Sequence, residues 1–152
     1  MNNLVLMNKS HLVLVVDDRA DNLGVAISRL IGQRLLLAKG PEDAMRLLNM
    51  KGQKPDAVLT DLQMRPDRVY PALNLDGYGV AETIHSGFSV MFEATKRGIP
   101  VAIVTDGNHH ADWASAMFDS LHEATVNNQK VLFFNNIEKR WDVALKKLLE
   151  PE

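Results

Sequence analysis

The sequence predicts an α/β fold: a five-stranded, mainly parallel sheet flanked by helices on both faces. Two observations predict it. Short apolar runs alternate with segments of helical periodicity five times along the chain. Each repeat also has the spacing of a strand–helix unit, which enforces right-handed crossovers and parallel pairing. With 152 residues, 46% of them apolar, the chain has the material for one domain with one core.

The first strand is His11–Val16 (HLVLVV), apolar enough to be covered on both faces. A helix is expected over Asp21–Ile31, with Leu23, Ala26, Ile27, Leu30 and Ile31 forming its inner stripe and Gly32 ending it. Arg34–Ala38 is the second strand. Pro41, Glu42 and Asp43 open the second helix, since proline fits the first turn and acidic groups complement the positive helix start. Ala57–Thr60 is the third strand. The third helix is expected from near Asp76–Gly77 toward Gly98, with a break at Gly87. Pro100–Thr105 is the fourth strand, Ala111–His122 the fourth helix and Val131–Phe134 the fifth strand. Ile137, Trp141, Ala144, Leu145 and Leu148 mark a closing amphipathic helix, with Glu138–Arg140 on its wet side. Five such units fit a flavodoxin-like three-layer sandwich of strand order 2-1-3-4-5. Residues 1–10 then form a tail, and 11–149 a single domain carrying an insertion over 65–75.

Composition excludes several classes. Cysteine is absent, so disulfides, thiolate catalysis and Cys-based zinc sites are out, and a reducing cytoplasm fits. A net charge of −2 provides no basic face for nucleic acid. No stretch reaches the roughly 18 apolar residues of a membrane span. No P-loop, G-x-G-x-x-G or G-x-S-x-G motif is found.

In sheets of this order a ligand crevice opens beyond the carboxyl ends of the strands. Those ends carry Asp17-Asp18, Asp61, Thr105-Asp106 and Asn135-Asn136. Carboxylates crowded together repel unless some are protonated or a cation joins them. Oxygen ligands without sulfur favour Mg²⁺ or Mn²⁺ over zinc. A carboxylate beside such an ion can attack phosphorus. The bland alternatives are helix caps for the aspartates, a turn for Asn135-Asn136, a loop for His109-His110, apolar packing for Trp113 and Trp141, and core filling for Met45, Met50, Met91 and Met117.

Val15-Val16-Asp17-Asp18, Asp61-Leu62-Gln63-Met64, Asp76-Gly77-Tyr78 and Val104-Thr105, in that order, resemble the receiver domains of two-component response regulators. The resemblance covers about His11 to Leu149. It implies that Asp61 is the phosphoacceptor and one of the Mg²⁺ ligands. Asp18 would bind Mg²⁺ directly, Asp17 mainly through a water, and the Gln63 main-chain carbonyl would complete the protein ligands. Thr105 would contact the phosphoryl group. The donor would be a sensor histidine kinase or a phosphotransfer protein. No output domain is expected after Leu149, so signalling would run by contact with an unnamed downstream protein through the fourth helix, fifth strand and last helix, and a homodimer is compatible with this.

Three departures from the family pattern stand out. The family has a lysine at the end of strand 5, where this chain reads Phe134-Asn135-Asn136-Ile137; Lys130 is at the opposite end of that strand. Arg65–Leu75 is an insertion overhanging the crevice, whose Arg65 and Arg68 could supply positive charge. Asp106 adds a negative charge after Thr105. These departures favour, as the alternative, a degenerate receiver acting as an interaction module without phosphorylation. A Mg²⁺-dependent phosphohydrolase ranks third, because Gln63 stands where a second catalytic aspartate would be needed.

Overall fold

A computed structural model describes residues 9–64, 86–105, 122–135 and 139–151. Its elements are β1 (Leu12–Val16), α1 (Ala20–Arg29), β2 (Arg34–Ala38), α2 (Pro41–Leu48), β3 (Ala57–Thr60), α3 (Ser86–Lys96), β4 (Val101–Thr105), β5 (Glu123–Val126), β6 (Gln129–Asn135) and α4 (Trp141–Leu149). The sheet order is β2-β1-β3-β4-β6-β5. The first five of these positions are parallel neighbours, in the expected order.

β1, β3 and β4 are buried along their whole length, as their unbroken apolar runs require. Alternate residues feed two cores. Leu14, Val16 and Val58 face α2 and α3. Val13, Val15 and Leu59 face α1 and α4. The result is a helix–sheet–helix sandwich.

Three expectations are corrected. A sixth strand is present: β5 runs antiparallel to β6, joined through Asn127 and Asn128 at φ 50 and 64°. Two successive left-handed residues form the tight turn whose twist suits a two-residue hairpin, and asparagine tolerates that conformation. The expected helix Ala111–His122 lies outside the described residues except for His122, which is exposed and precedes β5. On α1 the inner stripe is narrower than predicted. Leu23, Ala26 and Leu30 are buried, but Ile27, inside the helix, is 55% exposed, and Ile31, past the helix end at Arg29, is 83% exposed. Met50 is also exposed, whereas Met91 is core and Met45 packs against it.

The part of the expected third helix before Ser86 lies outside the described residues, and Gly87 is the second residue of α3. It lies inside the helix, its N–H donating to the Leu62 carbonyl at 2.9 Å. A Cβ there would collide with the Asp61 carbonyl oxygen and come 2.8 Å from Leu62 Cα. Both obstacles are backbone, so neither can swing aside. Alanine normally stabilises a helix interior, by about 0.5–1 kcal/mol over glycine. Gly87→Ala is expected to do the opposite, costing about 1–3 kcal/mol in urea unfolding and displacing Asp61.

Candidate functional site

The parallel register builds the site. Val16 pairs with Thr60, so the next residues, Asp17 and Asp61, leave neighbouring strands side by side. The Asp61 N–H donates to the Val16 carbonyl at 2.8 Å, and the Asp17 N–H to the Ala38 carbonyl at 3.1 Å. Asp17, Asp18 and Asp61 each place a carboxylate oxygen within 4.8 Å of the others. Asp17 and Asp61 are buried and Asp18 is half-buried. Residues separated by two strand–helix units thus converge in one pocket, as the sequence predicts.

Asp17 is also tied into the β1–α1 connection. Its Oδ1 accepts from the Arg19 N–H at 2.9 Å and its Oδ2 from the Asn22 amide at 3.1 Å. Asp61 Oδ1 accepts from the Leu62 N–H at 2.9 Å, and the Thr60 hydroxyl donates to the Asp61 carbonyl at 2.8 Å. The helix-cap alternative therefore fails for Asp17, since the N-cap of α1 is Arg19. Thr105 ends β4, buried and in register with Asn135. Gln63 is half-buried on the bend that leaves β3. Arg65, Arg68, Asp106, His109, His110 and Trp113 lie outside the described residues, as do Asn136 and the whole of the proposed insertion over 65–75.

The principal correction is Lys139. Sequence periodicity assigned it to the wet side of the last helix, and the site was expected to lack a lysine. Instead Lys139 is 1% exposed. Its ammonium stands 3.0 Å from Asp61 Oδ1 and 3.2 Å from Asp17 Oδ2, and donates to the Val104 carbonyl at 2.7 Å. It also lies 5.0 Å from the centroid of the Trp141 ring. Asn135, expected in the lysine's place, is exposed at the end of β6. Lys130 bonds the Glu150 carbonyl and is no substitute. Lys139 precedes α4, whose N-cap is Arg140, and has φ 49°. A left-handed lysine is a costly conformation that other contacts must impose, and such residues cluster at functional sites. The signal available in the sequence was a lysine just ahead of the closing helix, four positions past the strand end.

One ammonium does not balance this cluster. Burial pushes the Asp61 carboxyl up to about 7, with Asp17 repulsion adding to it and Lys139 opposing. Burial also raises Asp17, against Lys139 and the Arg19 and Asn22 hydrogen bonds. With all three carboxylates ionised, the one ammonium would leave two negative charges in a pocket of oxygen donors. That donor set and charge fit a hard divalent cation.

A pH dependence follows. The unfolded Asp61 releases its proton near 3.8 and the folded one near 7, so the folded state holds the proton longer. The stability associated with the protonated site is complete below about pH 4 and is lost as pH rises through about 7. Melting in chelator is expected to show Tm falling across that window, with Asp61→Asn flattening the fall. Added Mg²⁺ is expected to raise Tm more at about pH 8 than at about pH 5. A Tm rise no larger at the higher pH contradicts the assignment.

No protein-family model and no curated protein matches the sequence. Solved structures do. A response regulator receiver domain protein from Clostridium thermocellum superposes with TM-score 0.56 at 20% identity, over 91% of this chain and 94% of that one. A response regulator receiver protein from Pseudoalteromonas atlantica gives 0.54 at 13% identity, over 91% and 96%. The N-terminal domain of a receiver protein from Methanoculleus marisnigri gives 0.50 at 20% identity, over 95% and 100%. The fold is that of response-regulator receiver domains. Among the described residues, no helix is long and apolar enough to cross a membrane.

Proposed function

We propose that the chain is a receiver module that accepts a phosphoryl group on Asp61 in a Mg²⁺-dependent reaction. The observation that carries this reading is the Lys139 ammonium, held between Asp17 and Asp61. Phosphoryl transfer depends on positive charge placed where the equatorial oxygens gather negative charge.

The Asp61 carboxylate attacks phosphorus as the donor's bond to phosphorus breaks, and the leaving group departs with that bonding pair. Mg²⁺, when bound by Asp17, Asp18 and the Gln63 carbonyl, supplies positive charge to the phosphoryl oxygens. Lys139 opposes the burial that favours protonated Asp61, and then pairs with the new phosphoryl group. Thr105 donates to it from the end of β4. A sensor histidine kinase or a phosphotransfer protein is the donor, in the cytoplasm. Output is contact with a downstream protein or a second copy, through the β6 and α4 side of a single domain spanning 11–149. Incubation with phosphoramidate and Mg²⁺ is expected to add one phosphoryl group by intact mass, and chelator or Asp61→Asn to prevent it. No mass gain in the wild type, with Mg²⁺ binding intact, would leave the phosphorylation-independent interaction module.

A further inference from the structure

Trp141 is the largest side chain sealed inside the structure, at the first turn of α4. Its packing alone would account for a large apolar residue. Its polar edge and its π face, however, are both engaged with the supports of the acidic cluster. The indole N–H donates to the Asn22 main-chain carbonyl at 3.1 Å, and the Asn22 amide donates to Asp17 Oδ2 at 3.1 Å. The ring faces the Lys139 ammonium at 5.0 Å. The Trp141 backbone N–H donates to the Lys139 carbonyl at 2.9 Å, bracing that residue in its left-handed conformation.

We propose that Trp141 is a positioning residue: through Asn22 it sets Asp17, and through its ring it sets Lys139. The proposal rests on reading the cluster as a Mg²⁺-dependent phosphoacceptor site, but its two arms are separable. The N–H arm governs cation binding by the carboxylates. The ring arm governs the charge that meets the phosphoryl group, because a cation over an indole face is held by the ring quadrupole.

The N–H arm is tested by Mn²⁺ affinity of the full chain, read by electron paramagnetic resonance with Mn²⁺ alone and no phosphodonor. Trp141→Phe keeps a ring and loses the N–H. Asn22→Ala removes the amide from Asp17. Each is expected to weaken Mn²⁺ binding about three- to tenfold, the worth of one hydrogen bond. The double variant is expected to bind as Asn22→Ala does, because the arm is already cut. Replacing Trp141 by benzothienylalanine, which keeps the indole's shape without its N–H, repeats the measurement in an undisturbed core. Additive losses, or unchanged affinity with benzothienylalanine, overturn this arm. The ring arm is tested with phosphoramidate at saturating Mg²⁺. Trp141→Phe, with a weaker π face, is expected to slow the rate less than Trp141→Leu, which is expected to lose about three- to thirtyfold. Equal rates for the two variants overturn that arm. If the wild type takes up no phosphoryl group while the Mn²⁺ cycle is non-additive, the phosphoacceptor reading fails and the setting of Asp17 by Trp141 stands.

Discussion

Lys139→Met is expected to be the most damaging single substitution in the described structure, for stability and for phosphoryl transfer together. The ammonium is buried against two buried carboxylates and a main-chain carbonyl. Methionine preserves most of the side-chain volume, so the loss is electrostatic. Removing one partner of a buried ion pair costs about 3–5 kcal/mol, because the remaining charge is left uncompensated. The cost should be largest above pH 7 in chelator. It should shrink toward pH 5, where Asp61 is protonated and has less need of a counter-charge. Urea unfolding at the two pH values checks this; equal losses would mean that Lys139 acts by packing. In Mg²⁺, where the fold is held, phosphorylation by phosphoramidate is expected to slow about 100- to 1,000-fold, the usual effect of losing a preorganised charge stabiliser. Lys139→Arg should not restore the rate, since a planar guanidinium cannot occupy a pocket shaped around a compact ammonium. Lys130→Met is the matched control and should leave the rate unchanged, because Lys130 sits at the other end of β6 on Glu150.

Asp61→Asn is expected to have opposite effects on function and stability. Phosphoryl incorporation should fall to background, since an amide cannot form the aspartyl phosphate. Stability in chelator at about pH 8 should rise by about 2 kcal/mol, because the substitution removes an anion that burial destabilises. Part of the penalty persists because Lys139 gives up one of its two ion pairs. Below about pH 4 the gain should vanish, as the carboxyl is then neutral in both states. A variant less stable than wild type at pH 8 would show that the Lys139 pairing outweighs burial.

The two acidic strand ends were legible because local and global signals agree. The runs LVLVV and AVLT can only be buried strands, and parallel pairing places whatever follows them side by side. The remaining features depend on information that hydrophobic pattern does not carry. Extrapolating the stripe of Trp141, Ala144, Leu145 and Leu148 backwards assigns Lys139 to solvent, but that extrapolation assumes helix where the backbone is left-handed. Charge demand from two buried aspartates, a tertiary property, overrides the local reading. β5 escaped notice because EATV is short and alternately exposed; the Asn127-Asn128 pair was its available sign. Ile31 was misread because a period cannot show where a helix stops.

The close approach of Gly87 has a mechanical corollary. The start of α3 rests on the peptide units of Asp61 and Leu62, and the Ser86 hydroxyl reaches the Met64 carbonyl at 3.4 Å. Any repositioning of the Asp61 main chain must therefore push that helix as a rigid lever. The transmission runs from backbone to backbone, so redecorating the outer surface of α3 would alter which partner feels the motion without silencing the motion itself.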